Sequence, residues 1–139
     1  MADTIRLQVA TPEHLFVDEQ VSSVEVPGKN GYMGILPGHA PLLSELQPGV
    51  LTYSSGAGDR VLAIDGGFVE VYEGTVRVLA DHAESAADIR VDEARQQLER
   101  AEQALKNVHE QAESEAALRE MQKAQARIDA AARGSNRAA

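Results

Sequence analysis

The chain has 139 residues, a formal net charge of −9 and no cysteine. This length fits one ordinary domain or one small domain with an appendage, and the charge argues against a phosphate-backbone partner, which needs a clustered positive surface. Disulfides and thiolate chemistry are excluded, no apolar run approaches the roughly 20 residues that span a bilayer, and Met1–Arg6 carries no basic, apolar leader, so no signal peptide is expected.

Aromatic residues make up only 4% of the chain and tryptophan is absent, so the core must be built from Val, Leu, Ile and Ala. Ile5, Leu7 and Val9 alternate with Arg6 and Gln8, a period of two that predicts a strand with one buried face. Val24 and Val26 repeat the pattern up to the turn-forming run Pro27-Gly28-Lys29-Asn30-Gly31. Gly31–Leu43 follows, with three glycines and two prolines among apolar residues. It is read as a rigid, irregular loop whose Ile35, Leu36, Leu42 and Leu43 suit a core edge or a docking surface. Val50–Tyr53 and Val61–Ile64 are strands around Ser54–Asp59, and Asp65-Gly66-Gly67 turns the chain into Phe68–Val71. Glu73-Gly74 reads as a tight hairpin turn, placing Val69 and Val71 opposite Val78 and Val76 on one face, with Glu70 and Arg77 on the other.

From about Ala86 the period changes. Val91, Ala94, Leu98, Ala101, Leu105 and Val108 form one helical stripe; Leu118, Met121, Gln125, Ile128 and Ala132 form a weaker second one. A break near Glu110–Ser114 predicts two helices of about 18 residues, although the lack of a glycine or proline leaves a single long helix open. The fold class expected is therefore a β-sandwich over residues 1–85 followed by an antiparallel α-helical hairpin over 86–139 with a frayed basic tail. Acidic residues dominate from Glu84 to Glu113, and basic ones (Arg119, Lys123, Arg127, Arg133, Arg137) dominate after Ser114. The plainer reading is two solvated helix faces in weak attraction; the sharper is a basic arm able to leave for an acidic partner.

A catalytic constellation is missing. His14, His39, His82 and His109 fall in different elements, and Asp81-His82 lacks a third metal ligand, so no metal site is expected. His109-Glu110-Gln111-Ala112-Glu113 has Glu where a zinc-protease helix needs its second His. Gly28-Lys29 lacks the rest of a phosphate loop. The chain alone is expected to catalyse nothing.

Gly34-Ile35-Leu36-Pro37-Gly38-His39-Ala40-Pro41-Leu42-Leu43, Gln47-Pro48-Gly49, Gly66-Gly67-Phe68-Val69-Glu70-Val71, Val76–Asp81 and Val91-Asp92-Glu93-Ala94-Arg95 stand in one order across nearly the whole chain. This arrangement closely resembles the epsilon subunit family of bacterial F-type ATP synthases. The resemblance implies a non-catalytic central-stalk role, with the sandwich binding the gamma subunit and the c ring and helping couple proton-driven rotation to ATP synthesis. It implies a peripheral position on the cytoplasmic face of the inner membrane, reached only through the complex. By position, Tyr32, Gly38, His39, Leu42 and Leu43 become partner-docking candidates, and His39 is equally readable as a turn residue bonded within its own loop.

In that family the hairpin can extend toward the alpha/beta head and inhibit ATP hydrolysis. Some members bind ATP through an Ile/Leu-Asp-x-x-Arg-Ala motif. This chain has Val91-Asp92-Glu93-Ala94-Arg95-Gln96, departing at the first and last positions. Asp92, Arg95 and Arg100 are thus the nucleotide candidates, with N-capping by Asp92 the preferred reading, worth about 1 kcal/mol. No cofactor is expected beyond ATP as a weak regulatory ligand. The alternative function is a soluble adaptor that uses its helical hairpin to probe a large enzyme complex.

Overall fold

Alternation builds the first strand as the sequence dictates: in β1 (Ile5–Ala10) the side chains of Ile5, Leu7 and Val9 are buried while Arg6 points out. A computed structural model describes residues 3–137. The strands that follow are β2 (Leu15–Val21), β3 (Ser23–Gly28), β4 (Gly31–Ile35), β5 (Leu42–Leu46), β6 (Gly49–Ser55), β7 (Gly58–Ile64), β8 (Gly67–Tyr72), β9 (Thr75–Ala80) and β10 (Ala83–Ser85). They form one continuous sheet in the order β10-β7-β6-β3-β5-β8-β9-β1-β2, with β4 added on β3. The sheet folds over on itself, so that Leu7, Val9 and Val78 from one end share a core with Leu51, Leu62 and Ile64 from the other. Each fully buried Val or Leu there contributes about 1.5–3 kcal/mol relative to exposure. The core is Val, Leu and Ile with Tyr53 and Ala80, and both phenylalanines stay outside it.

The Glu73-Gly74 turn has positive φ at both residues (47° and 77°), the geometry that matches the twist of flanking strands. Val69 pairs with Val78, Val71 with Val76, and Glu70 with Arg77, as the alternation predicts. Elsewhere the structure corrects the reading. The segment Gly31–Leu43 is not one irregular loop. Gly31–Ile35 pairs with β3 and Leu42–Leu46 with β8, leaving only Leu36–Pro41 irregular. Glycine and proline weaken a strand without forbidding it at an edge, and β4 has β3 as its one partner. Likewise Pro27 and Gly28 belong to β3, and the turn itself is Lys29-Asn30.

The helices differ in length from expectation. α1 (Val91–Lys106) has 16 residues and α2 (Gln111–Arg137) has 27, with the break at 107–110. In the connection the His109 N–H donates to Glu113 Oε2 at 3.0 Å, so Glu113 folds back over the start of α2 and sets that start at Gln111. The tail expected to fray is helical as far as Arg137; Met1, Ala2, Ala138, Ala139 and the side chains of residues 135–137 lie outside the described residues. The α1 stripe is buried or half-buried throughout. The α2 stripe is not: Leu118, Gln125 and Ala132 are exposed, and the buried face is Ala117, Ala124, Ala126, Ala130 and Ala131. Alanine is the residue that lets α2 lie close to both α1 and the sheet, which a stripe of larger side chains would hold apart. Ala130 sits on Val50, Val61 and Ala63, beside Ala86 and Ile89.

Candidate functional site

The residues singled out between Gly31 and Leu43 divide into two groups. Tyr32, on β4, turns its hydroxyl to β6, where it accepts a 3.0 Å hydrogen bond from the Val50 N–H. It lines a small cleft with Gly49 and Val50 on one side and Gln122, Gln125 and Ala126 of α2 on the other. Tyr32 therefore belongs to the seam between sandwich and hairpin. Gly38 (φ 85°) and His39 lie in the irregular turn, where the His39 N–H donates to the Leu36 carbonyl at 3.1 Å. The His39 ring donates from Nδ1 to the Ala40 carbonyl at 2.7 Å, a partner that can only accept. His39 is thus ordered within its own loop while its ring stays exposed. Leu36 (61% exposed) and Leu43 (73%) face outward, and Leu42 is half-buried on the core.

A second apolar feature was not picked out from the sequence. Phe68 (53% exposed) pairs across strands with Leu79 (54%), Leu79 with Ala10, and Ala10 with Leu15 (60%), one row across β8, β9, β1 and β2. Isolated exposed apolar residues are ordinary; here they line up across four strands, offset by a bulge between Val9 and Ala10, with Ala10 half-buried. Its signal was present: Phe68 and Leu79 occupy the outward phase of strands whose inward phase is already filled by Val69, Val71, Val76 and Val78. Beside it, Arg6 donates two hydrogen bonds to Asp18 at 2.9 and 3.0 Å, and this holds the Asp18 carboxyl below the usual carboxylate range.

The nucleotide candidates are not brought together. Asp92, Arg95 and Arg100 are all exposed, and at 3.6 residues per turn Arg95 and Arg100 point roughly 140° apart around α1. Arg100 alone lines the groove between the helices, with Ala101, Ala104, Ala117 and Glu120. Asp92 is not the N-cap either: that position is Arg90, without a side-chain cap, and Asp92 and Glu93 lie in the first turn, where they favour the helix dipole.

The basic arm is not a free solvated face. Arg119, Lys123 and Arg127 recur every fourth residue of α2 and meet acids of the sandwich. Lys123 Nζ lies 3.3 Å from Asp65, Arg119 approaches Asp65 at 3.7 Å and Asp81 at 3.8 Å, and Arg127 donates to Glu84 at 2.9 and 3.3 Å and to Gln97 at 3.1 Å. Asp65, Glu84, Gln97, Lys123 and Arg127 edge a cleft of about 400 Å³ with His82 and Ala83. Burial works against the Lys123 ammonium, yet the Glu120 hydrogen bond and the Asp65 charge outweigh it and raise its pKa. Glu120 is lowered in turn, chiefly by its hydrogen bond from Lys123. Glu84 was counted with the helices in the sequence, but it sits on β10. Among the described residues no cluster of three or more His, Asp or Glu could hold a metal, and no helix is long and apolar enough to cross a membrane.

Residues 4–86 match the family model for the ATP synthase, Delta/Epsilon chain, beta-sandwich domain. The ATP synthase epsilon chain of Solibacter usitatus is 47% identical over 128 residues, covering 92% of this chain and 96% of that one. The ATP synthase epsilon chain of Nitratidesulfovibrio vulgaris is 40% identical over an equal span, with the same coverage of each. In fold, the chain is similar to one in the cryo-EM structure of the Euglena gracilis mitochondrial ATP synthase (OSCP/F1/c-ring), with a TM-score of 0.82, 22% identity, and coverage of 95% of this chain and 83% of that one. A sandwich with its family signature, carried into an alanine-faced hairpin along nearly the full length of its relatives, places this chain in the ATP synthase epsilon chain family.

Proposed function

We propose that this chain is a central-stalk subunit of a proton-translocating ATP synthase, joining the gamma subunit to the c ring and helping couple rotation to ATP synthesis. The observation that carries this reading is the apolar row Phe68–Leu79–Ala10–Leu15, which crosses four hydrogen-bonded strands with a bulge between Val9 and Ala10. A connector that bears torque needs a preorganised surface, because ordering a loop on binding costs affinity. The turn Leu36–Pro41 and Leu43 offer a second contact, which we assign to the ring side. The chain reaches the membrane only through the complex, as a peripheral component on the cytoplasmic face. It needs no resident cofactor: the divergence of Asp92, Arg95 and Arg100 supports a role in the helix rather than in holding ATP, and calorimetric titration with ATP checks this. The helical hairpin acts on the alpha/beta head when it leaves the sandwich, restraining ATP hydrolysis.

Co-purification tests the reading. Tagged chain expressed in its own cell recovers gamma with the rest of the catalytic head. Recovery of the chain free of any gamma subunit overturns the stalk assignment and favours a soluble adaptor.

A further inference from the structure

We propose that Asp65 is the anchor that keeps α2 on the sandwich, so that hairpin docking in the isolated chain is set by charge and weakens as ionic strength rises. The inference concerns the chain alone and does not rest on a role in any complex. Asp65 stands in the turn between β7 and β8, its backbone N–H held by the His82 carbonyl at 2.9 Å. Its Oδ1 is buried and accepts no hydrogen bond, while Arg119 lies 3.7 Å from that oxygen and Lys123 lies 3.3 Å from Oδ2. The carboxylate is half-buried, and a buried oxygen left without a hydrogen bond is tolerated where cations face the group. Here both cations come from consecutive turns of α2, and Arg127 on the next turn adds Glu84. Undocking would therefore hydrate Asp65 and release all three cations together.

The apolar part of the seam gives charge this weight. It is built from Ala130 on Val50, Val61 and Ala63, with Ala126 beside Val50, and alanine buries little area per residue. Gly134 supplies the far fixed point: a Cβ there would run into the side chain of Ala86, so only glycine lets α2 lie this close. One end of α2 is thus set by shape and the middle by charge.

The buried oxygen predicts an asymmetry that a plain surface ion pair would lack. Removing Lys123 leaves the half-buried Asp65 short of positive charge, whereas D65N removes that charge itself. Hydrogen exchange of α2 amides, read by mass spectrometry on the full chain, tests this with D65N, K123M and the double variant at about 0.05 and 0.5 M salt. Exchange in α2 is expected to rise roughly three- to tenfold in D65N, more in K123M, and to fall back in the double variant relative to K123M. Salt should accelerate α2 exchange in the unaltered chain more than in D65N. Unchanged or slower α2 exchange in D65N overturns the anchor. Loss of protection in the sandwich strands alongside α2 overturns it too, by showing that Asp65 serves the sheet.

Discussion

The Tyr32 hydroxyl and the Val50 N–H, 3.0 Å apart, tie the β3–β4 hairpin to the start of β6. The contact depends on Gly49, where a Cβ would collide with the Pro27 ring and crowd the Tyr32 hydroxyl. Val50 is 2% exposed and its bond to Tyr32 is half-buried, so its N–H loses its partner when the tyrosine oxygen is removed. Tyr32→Phe is expected to destabilise the fold by about 0.5–1.5 kcal/mol, the net worth of a half-buried hydrogen bond. A lowered urea midpoint with an unchanged slope would record it.

Gly67 is the most demanding glycine of the sandwich. Its φ is 114°, and a Cβ would press into the Leu79 carbonyl. Gly67→Ala combines backbone strain with a clash against the neighbouring strand and should cost upwards of about 3 kcal/mol. Denaturant unfolding measures it, and a stability within error of the parent would refute the close approach.

The row across β8, β9, β1 and β2 can be probed without touching the core, because Phe68 and Leu79 point away from it. Phe68→Asp or Leu79→Asp is expected to weaken capture by partner subunits at least tenfold, as loss of an apolar anchor does. The melting temperature of the isolated chain should move by no more than about 4 °C. A matching loss of folded stability would mean the row belongs to the fold.

The Glu120–Lys123 pair gives the hairpin a pH window. Lys123 has a raised pKa in the fold, so its contribution is complete below the ordinary lysine value of 10.5 and is lost as pH climbs through the folded value. Glu120 is lowered, so its contribution holds above the ordinary 4.5 and is lost as pH falls through the folded value. The parent should therefore melt above Lys123→Met by about 2–4 °C between those limits, with the gap closing on both sides. Melting curves of the two proteins across pH 3–11.5, at about half-unit steps, check the sign at each end.

Truncation after Asp88 removes both helices and leaves every strand intact. The shortened chain should still join its complex, and that complex should hydrolyse ATP faster than one carrying the full chain. Equal hydrolysis rates would remove the inhibitory role and leave the docking role in place.

The sandwich was legible wherever one face is buried. Ile5, Leu7 and Val9, or Val76 and Val78, alternate because the sheet has an inside. β2 escaped notice because only Val17 and Val21 are buried among Asp18, Glu19 and Gln20, so no alternation survives. β4 and β5 are hidden by Gly34, which pairs with Glu25 in β3 despite its turn preference, and by Pro37, Gly38 and Pro41, which form the turn between the two strands. The α2 face was misread because scanning for large apolar residues favours Leu118 and Ile128, whereas close packing favours alanine. The anchor at Asp65 was beyond reach: nothing local connects a turn residue with cations more than fifty positions later, and only the folded seam brings Asp65 to Lys123.

The parallel pairing of β1 with β9, Leu7 beside Val76 and Val9 beside Val78, joins the two extremes of the sandwich. A chain emerging from the ribosome cannot satisfy its opening strand until nearly the whole sheet has been synthesised, and such distant pairing makes assembly slow. β1 must wait, unpaired by β9, while the hairpins from β3 to β8 form. The helices are translated after the sheet, onto a platform by then complete, so a nascent chain has something to rest α2 on from the moment that helix appears.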